Sequence, residues 1–530
     1  MNQPPGRVFD YVVIGAGSAG CALAARLSED AAATVALVEA GGQGRSFLID
    51  TPLMLAVTVP RRIHNWAFAT APQSGLGGRR GYQPRGKGLG GSSVINAMIY
   101  MRGHPGDYDD WAAAGNPGWG WEDLLLLFMR NEHNERGADA YHAVGGPLKV
   151  ADIRSPNAAS LAFVEAGVQA GHARNHDFNA ARQDGVGLYQ VTQKNGRRWS
   201  AARAYLDPAA QRSNLTVITD TQALRLRFDG DDCAGVETTR GALGARRETI
   251  LCAGAFGSPQ LLLLSGIGPQ EELARQGIAL RHELPGVGAN LQDHPDYVIG
   301  FLSEAPGLLG LTPRGLLNIA RGYGRFRGEG RGLLSSNIAE AGGFMSSRPG
   351  LDRPDLQLHF TIGLVADHGR DPRPRYGFSC HVCVLRPKSI GRVSLASADP
   401  RAAPSIDPAF LTHPEDARDL LRGVRMTLDI LGQRALDAFR SANVFGEPGT
   451  SDEELMALIR RRADTVYHPV GTCRMGQEGM GVVDAKLRVH GVGRLRIADA
   501  SIMPTLIGGN TNAPAMVIGE KAADLIRAGR

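Results

Sequence analysis

A histidine late in the chain is the first residue whose type and setting could do chemistry. His468 lies in the segment DTVYHPVGTCRMG and is followed by Pro469, which favours extended or turn backbone at the histidine. Histidine is the usual general base near neutral pH, whereas a single histidine is more often structural. His468 is therefore a candidate base that needs support from the residues around it.

The segment GGNTNAP, further along the chain, predicts the start of a helix. Pro514 suits the first helical turn, and Thr511 or Asn512 suits the position that caps it. The helix is predicted over residues 513–527. Its positive N-terminal end could face an anion such as the N1/C2 edge of a reduced flavin, although a well-capped surface helix would show the same pattern.

An early strand–loop–helix–strand pattern predicts a dinucleotide site. The apolar run at residues 11–14 is typical of a buried parallel strand, and the glycine-rich loop GAGSAG follows it. Residues 21–27 then indicate a helix, and residues 35–38 a second strand. Together these segments form one βαβ unit.

The glycines of this loop and one acidic residue have separate roles in such a site. Gly15 permits the tight turn, Gly17 lets the backbone approach a pyrophosphate, and Gly20 allows the helix to pack closely. Glu39, at the end of the second strand, could accept a hydrogen bond from a ribose hydroxyl, which argues against a 2′-phosphate. The motif does not separate FAD from NAD, and a glycine-rich turn without a ligand is the alternative.

Composition limits the classes of protein. With 530 residues, 43% of them hydrophobic and 21% charged, the chain predicts two globular domains. The net charge of +5 and the lack of a basic run argue against nucleic acid, and allow weak peripheral contact with an anionic membrane. No apolar run approaches the roughly 18 residues of a membrane-spanning helix, and no signal-peptide core precedes the first strand, so a cytoplasmic location is expected.

The cysteines predict neither a disulfide framework nor a metal site. Six are scattered along the chain, which fits a reducing compartment. Cys380 and Cys383 have CxxC spacing, but they lie in an alternating, strand-like stretch with no second pair nearby. We interpret this pair as ordinary strand content, and we expect no metal.

The composition and the hydrophobic pattern change along the chain, and this change predicts an α/β (α+β overall) fold with two domains. A Rossmann-type FAD-binding domain is assigned to residues 1–155, 190–300 and 460–530, the last with a strand at 495–497. A substrate-binding domain on an antiparallel sheet is assigned to residues 156–189 and 301–459, because segments such as 357–360 and 391–395 alternate like strands.

Three long motifs carry a resemblance to a known family. They are GKGLGGSSVINAM at residues 86–98, GAFGSP at 254–259 continuing to SGIG at 265–268, and NLQDHP at 290–295. From about Phe9 to Ile526 the chain resembles the glucose–methanol–choline (GMC) oxidoreductases. Segments 65–68, 189–206 and 333–344 are similar to bacterial membrane-associated alcohol dehydrogenases of alkane degradation and also to choline dehydrogenases, which implies a place on the periphery of the inner membrane as an alternative to a fully cytoplasmic one.

The resemblance implies roles for individual residues. His468 matches the family's catalytic base, and Asn510 matches its second active-site position, which holds histidine or asparagine. Val94 and Ile95 stand where some members carry the histidine that binds FAD covalently, so non-covalent FAD is expected. With the dinucleotide motif, the predicted FAD-binding residues are Gly15, Gly17, Ser18, Ala19, Gly20, Glu39, Ala40, Trp66, Gly91, Ser92, Asn96, Ala97, Met98, Ala223 (or Leu224), Asp499, Ala500, Thr511 and Asn512.

The resemblance also implies a reaction, with alternatives. His468 would accept the proton of a primary alcohol, the carbon would pass hydride to flavin N5, and Asn510 would position the oxygen. The electrons would go to a quinone-type acceptor. The alternatives are choline dehydrogenase or an oxidase of a polar alcohol, and a lyase that keeps FAD without redox chemistry. Glu340 could face a cationic substrate, although a structural carboxylate is favoured; the oligomeric state is left open.

Overall fold

A computed structural model describes residues 7–310, 312–371, 375–477 and 479–529. The α-helices in these ranges are α1 (Ser18–Leu27), α2 (Phe47–Asp50), α3 (Leu55–Thr58), α4 (Pro105–Ala113), α5 (Trp121–Asn131), α6 (Ala158–Gln169), α7 (Asp207–Ala209), α8 (Gly254–Leu264), α9 (Gln270–Arg275), α10 (Pro313–Glu329), α11 (Pro414–Gly432), α12 (Asp452–Arg462) and α13 (Asn512–Ala528). Short 3₁₀ turns lie at Pro52–Met54, Ser74–Leu76, Gly91–Val94, Leu333–Ser335, Asp367–Gly369, Arg434–Leu436 and Ala500–Ile502, and a π-helical turn at Ala202–Leu206.

The strands in the same ranges are β1 (Arg7–Ile14), β2 (Val35–Val38), β3 (Phe68–Ala69), β4 (Tyr82–Gln83), β5 (Glu132–Asn134), β6 (Leu148–Val150), β7 (Gly185–Leu188), β8 (Gln193–Lys194), β9 (Arg197–Arg198), β10 (Leu215–Ile218), β11 (Ala223–Asp229), β12 (Asp232–Thr238), β13 (Gly241–Leu251), β14 (Ile267–Gly268), β15 (His282–Glu283), β16 (Pro295–Leu302), β17 (Ala339–Met345), β18 (Leu356–Thr361), β19 (Gly377–Val384), β20 (Arg392–Ser394), β21 (Ser405–Asp407), β22 (Asp464–Thr465) and β23 (Leu495–Ile497).

The first large sheet is mainly parallel and holds the dinucleotide motif. Its strand order is β10-β2-β1-β13-β12-β11, with β23 paired to β13. Strands β1 and β2 pair in parallel, and all four residues of β2 are buried, as a strand covered on both faces requires. Helix α13 packs on α1 so closely that a Cβ atom at Gly519 would lie 2.2 Å from the Ala19 carbonyl oxygen. Late residues of the chain thus complete the core around the early βαβ unit.

The second large sheet is antiparallel, with strand order β22-β16-β19-β18-β17-β7. The strands β17, β18 and β19 are buried along their whole length. Apolar side chains on one face of these strands form a hydrophobic core with apolar residues of α6 and α11. The predicted combination of a Rossmann-type unit with an antiparallel sheet is therefore confirmed.

The outcome for individual strands is mixed. The segments predicted at residues 357–360 and 495–497 are strands, and Cys380 and Cys383 lie in β19. The segment at 391–395 is also a strand, but β20 pairs only with β21 among the described residues and not with the antiparallel sheet. Strand β22 falls in the stretch assigned to the FAD domain, yet it pairs with β16 of the second sheet. The division into domains stays a prediction.

Among the described residues, no helix combines the length and the apolar character that crossing a bilayer requires.

Candidate active site

A cavity of about 1460 Å³ opens between the two large sheets. Ile14 and Val38 line it from the first sheet, and His359, Thr361 and His381 line it from the second. The volume exceeds the roughly 300–1,000 Å³ typical of small-molecule pockets. It can therefore accommodate a dinucleotide together with a substrate.

Nearly all residues predicted for cofactor and chemistry meet in this cavity. Its lining includes Gly15, Gly17, Ser18, Ala19, Glu39, Ala40, Trp66, Gly91, Ser92, Asn96, Ala97, Met98, Ala223, His468, Asp499, Ala500, Asn510, Thr511 and Asn512. Gly20 is not in the described lining, because it packs helix α1 onto the loop behind it. A Cβ atom there would lie 1.9 Å from the Gly15 carbonyl oxygen, which agrees with the close packing expected of this glycine.

The glycine-rich loop forms a cradle that side chains would fill. Gly15 has a φ of +103°, and a Cβ atom on it would lie 2.4 Å from the Cys252 carbonyl oxygen. Gly91, in the motif at residues 86–98, approaches the same loop, since a Cβ atom on it would lie 2.6 Å from the Cα of Gly17. Helix α1 begins after Gly17 without a side-chain cap, so its first N–H groups are available to an anion. These features fit the pyrophosphate of FAD.

The carboxylate of Glu39 links the loops that form this cradle. It accepts hydrogen bonds from the backbone N–H groups of Ala16 at 3.0 Å, Gly41 at 2.8 Å and Gly88 at 3.0 Å. Burial raises the pKa of this carboxyl above its ordinary value. A carboxylate has about four acceptor sites, so one remains for a ribose hydroxyl. The ribose contact stays a prediction, and the structure adds a second role in holding two loops together.

A second helix end faces the same cavity. Helix α13 begins after Thr511, again without a side-chain cap, and the Ser18 hydroxyl donates to the Asn512 side-chain oxygen at 2.7 Å. Nearby, Asp499 accepts from the backbone N–H of Gly254 at 2.9 Å and from the Ser258 hydroxyl at 2.6 Å. Two positive helix ends thus meet where an anionic cofactor would lie.

The imidazole of His468 is held at both nitrogens. Its Nδ1 lies 3.0 Å from Nδ1 of His294, and its Nε2 lies 3.2 Å from the Asn510 amide nitrogen. Gln357 donates to the Asn510 side-chain oxygen at 3.0 Å, which directs the Asn510 NH₂ group towards His468. Nε2 must then carry the lone pair, and Nδ1–H donates to His294. His468 and Asn510 therefore place a proton acceptor, Nε2, next to a hydrogen-bond donor, the amide NH₂ group.

The backbone around His468 is equally constrained. The His468 N–H donates to the Asp293 carboxylate at 2.8 Å. The preceding Tyr467 has a φ of +80°, an unfavourable conformation for a tyrosine, and its carbonyl accepts from the half-buried Arg85 guanidinium at 2.6 Å. The surrounding contacts therefore hold the histidine in one position.

Burial decides the protonation state of His468. It lowers the pKa of the imidazole well below its ordinary value, and His294, His359 and the positive charge of Arg85 lower it further. The ring is neutral at pH 7 and can accept a proton.

Three further histidines belong to this region, and the sequence predicted no role for them. His294 is part of the NLQDHP motif and contacts His468 directly. His359 and His381 are register partners on β18 and β19, and both line the cavity. Strand spacing could have placed each on one face of its strand, but the pairing of the two strands is a long-range feature.

These histidines differ in their partners. His381 Nδ1 lies 2.6 Å from the buried Asp296 carboxylate, whose pKa burial raises. His359 is 4% exposed, and its two ring nitrogens find no hydrogen-bond partner within the described residues. Burial lowers the pKa of His359 to about 3, so it is a neutral imidazole whose nitrogens are available to a bound molecule.

The structure places Glu340 away from the described cavity lining. Its side chain is fully buried, and its carboxylate accepts from the Asn157 N–H at 2.7 Å and from the hydroxyls of Ser160 at 2.8 Å and Ser336 at 2.5 Å. Burial raises its pKa. Glu340 joins β17 to the start of α6, and its suggested contact with a cationic substrate has no geometric support, since neighbouring residues rather than Glu340 line the cavity.

Potential metal ligands do not cluster in this region. Within the part of the chain that the structure describes, no group of three or more histidine, cysteine, aspartate or glutamate side chains could hold a metal ion.

Comparison with known proteins gives consistent matches over nearly the whole chain. Two family models described as GMC oxidoreductase match residues 9–296 and 387–519. The chain is 45% identical over 536 residues to an alcohol dehydrogenase [acceptor] of Pseudomonas putida, covering 98% of the chain and 96% of the relative. It is 42% identical to the mitochondrial choline dehydrogenase of Homo sapiens, covering 98% of the chain and 90% of the relative.

Solved structures give the same match in three dimensions. Pyridoxine 4-oxidase from Mesorbium loti superposes with a TM-score of 0.88 at 31% identity, covering 98% of this chain and 99% of that chain. A formate oxidase superposes with a TM-score of 0.90 at 27% identity, covering 100% and 99%.

Proposed function

Because the chain belongs to the GMC oxidoreductase family, whose members depend on FAD, we propose that it oxidises an uncharged primary alcohol to the aldehyde and passes the electrons to a quinone-type acceptor. The observation that carries this proposal is the neutral His468 beside the amide of Asn510, 3.2 Å apart at the cavity. The likeness to an alcohol dehydrogenase [acceptor] supports the choice of acceptor.

The predicted residues that line the cavity fit FAD. The Gly15–Ala19 loop would hold the pyrophosphate, Glu39 the ribose, and the N-terminal end of α13 the flavin. When bound, FAD supplies the redox chemistry by taking up the hydride of the alcohol carbon at flavin N5.

The protein's own part is to orient the alcohol and to move its proton. Nε2 of His468 carries the lone pair that accepts from the Asn510 N–H at 3.2 Å, and it accepts the hydroxyl proton once the substrate hydroxyl takes the place of that N–H. The Asn510 NH₂ group donates to the substrate oxygen and holds it against His468, and it does not titrate near pH 7. Gln357 keeps the Asn510 amide in this orientation.

The charges of the cavity favour an uncharged substrate. Its described lining contains the carboxylates of Glu39, Asp371 and Asp499. Glu39 and Asp499 hold backbone N–H groups, and Asp371 lies 3.9 Å from the Arg375 guanidinium. None of the three is placed beside His468 to neutralise a quaternary ammonium. Choline remains the second candidate, because relatives at 42–43% identity are choline dehydrogenases.

Anaerobic mixing of the FAD-loaded enzyme with a panel of alcohols tests the reaction. A medium-chain primary alcohol should bleach the flavin absorbance, and it should do so faster than choline. Faster bleaching by choline would replace the proposed substrate class. If no alcohol bleaches a flavin that the protein clearly holds, the non-redox lyase becomes the better description.

The acceptor is tested by steady-state turnover of the best alcohol. The rate should be higher with a soluble quinone or a phenazine dye than with oxygen alone. Stoichiometric hydrogen peroxide, formed at a rate comparable to that with the dye, would contradict a quinone-type acceptor.

A further inference from the structure

Helix α10 exposes large apolar side chains on its outer side. Phe326, 2% exposed, and Ile319 face the core of the second sheet. On the outer side, Leu316 is 55% exposed, Leu317 47% and Tyr323 45%. At 100° per residue these three side chains fall within an outward sector of about 120°. The apolar face of α10 is therefore wide: one side of it packs on the protein, and the other side is exposed to solvent.

The apolar surface continues beyond the helix. Phe47 of α2 is 50% exposed, and its ring centroid lies 6.3 Å from that of Tyr323. Leu316, Leu317, Tyr323 and Phe47 are called the α10 patch below. Exposed apolar residues scattered singly are normal, whereas four contiguous ones mark an interaction surface.

Positive charge surrounds this patch. The sequence of α10 holds four arginines and a single glutamate, and Arg321, Arg325 and Arg327 are exposed. Glu329 pairs with Arg325 at 3.4 Å. Of the other two exposed arginines, Arg321 lies at the edge of the apolar sector, and Arg327 lies within the sector near the C-terminal end of the helix. A helix with an apolar outer sector, exposed arginines and low overall hydrophobicity is the type that lies in a membrane interface.

The α10 patch adjoins the mouth of the active-site cavity. Leu316 belongs to both the patch and the cavity lining, and Ile319 of the same helix also lines the cavity. Arg61 and Arg62, which follow α3, are exposed and line the same cavity. A flat surface touching the α10 patch would therefore meet further cations at the cavity rim.

We propose that the α10 patch docks on an anionic lipid bilayer, so that the cavity mouth opens towards the membrane interface. The apolar side chains insert among the lipid tails near the headgroups, and Arg61, Arg62, Arg321 and Arg327 pair with lipid phosphates. The contact is peripheral. The inference does not depend on the alcohol or the acceptor proposed above, because the binding can be measured without turnover.

The choice of a bilayer over a protein partner follows from the charges. A second copy would place the same arginine-rich helix against an equally positive surface, and like charges brought together oppose association. An anionic bilayer supplies the opposite charge together with an apolar layer at the depth that exposed leucines reach.

Vesicle flotation with the FAD-loaded full chain tests the proposal. The protein should float with vesicles of phosphatidylcholine mixed with phosphatidylglycerol, much less with phosphatidylcholine alone, and less at high salt. The double variant Leu317→Ser/Tyr323→Ser should reduce the bound fraction by at least tenfold. Arg321→Ser/Arg327→Ser should also weaken binding, by roughly fivefold for each arginine.

A matched control comes from exposed leucines elsewhere on the surface. Leu126 on α5 is 68% exposed and Leu161 on α6 is 51% exposed, and Leu126→Ser/Leu161→Ser should bind like the wild type. Retained flavin absorbance and an unchanged unfolding temperature show that each variant is folded. Equal flotation of the α10 variant and the wild type overturns the proposal, as does failure of the wild type to bind anionic vesicles. A self-associating wild type that becomes monomeric in Leu317→Ser/Tyr323→Ser, without vesicle binding, assigns the patch to a contact between copies instead.

Discussion

Replacement of His468 by alanine removes the proposed proton acceptor and leaves the cofactor cradle in place. Nε2 of the ring lies 3.2 Å from the Asn510 amide, and Nδ1 lies 3.0 Å from His294, so both nitrogens have partners that fix the orientation of the imidazole. The FAD cradle is built from other residues, such as Gly15 and Glu39, so FAD should still bind.

The expected loss follows from this geometry. A positioned general base contributes about 10²–10⁴ in rate, which corresponds to roughly 3–5 kcal/mol in activation free energy. Because burial keeps the wild-type His468 neutral at pH 7, nearly all molecules hold the active protonation state, and the whole factor should be lost. We therefore expect His468→Ala to reduce its flavin about 10²–10⁴-fold more slowly.

Anaerobic stopped-flow bleaching of the flavin measures this rate directly. The exposed His176 provides a control, since His176→Ala removes a histidine outside the described cavity lining and should leave the rate unchanged. If His468→Ala retains full FAD and bleaches within a few-fold of the wild type, His468 is not the base. Its role would then be structural.

Four further outcomes follow from the same site. The wild-type rate of flavin reduction should rise from acid pH to a plateau that is complete below pH 7, because protonation of the low-pKa imidazole removes the acceptor, and stopped-flow rates of His468→Ala should lack this rise. Asn510→Ala should slow flavin reduction because it raises the activation free energy by the contribution of one hydrogen bond, about 1–3 kcal/mol, and a decrease in rate as large as that of His468→Ala would contradict a positioning role. Glu39→Gln should weaken FAD retention, measured by flavin absorbance after gel filtration, because a neutral amide is a poorer acceptor for the three backbone N–H groups and the ribose; unchanged occupancy argues against both contacts. Acid precipitation should release free FAD into the supernatant, since Val94 and Ile95 offer no attachment point, and flavin left in the pellet would indicate a covalent bond.

Local pattern in the sequence accounts for much of the first sheet and its loop. The β1–α1–β2 unit follows from a buried strand, a glycine-rich turn and a small-residue helix, all within a short stretch of chain. The φ of +103° at Gly15 and the tight packing at Gly20 are what the two glycines were expected to provide. Short-range periodicity and glycine conformation act over a few residues, so the sequence alone contains this information.

The sequence predicted less of the candidate site than of the first sheet. His468 is a candidate base by its residue type and setting, the family resemblance adds Asn510, and their contact at 3.2 Å forms between residues 42 positions apart. The role of Glu340 could not be predicted from the sequence, because a glutamate suits either a substrate contact or an internal hydrogen-bond network. Its three hydrogen bonds to residues of α6 and the loops beside it decide that its environment is structural.

Only the tertiary structure brings the other histidines to His468. The antiparallel register of β18 and β19 places His359 and His381 at the cavity, and His294, which precedes β16, contacts His468 directly. A shift of one residue in that register would turn His359 and His381 to the opposite face. The sequence determined which residues could bind a dinucleotide and take a proton. Which of them are neutral, buried and within reach of one another was decided by long-range strand pairing and by burial, because pKa and contact depend on neighbours that lie far apart in the chain.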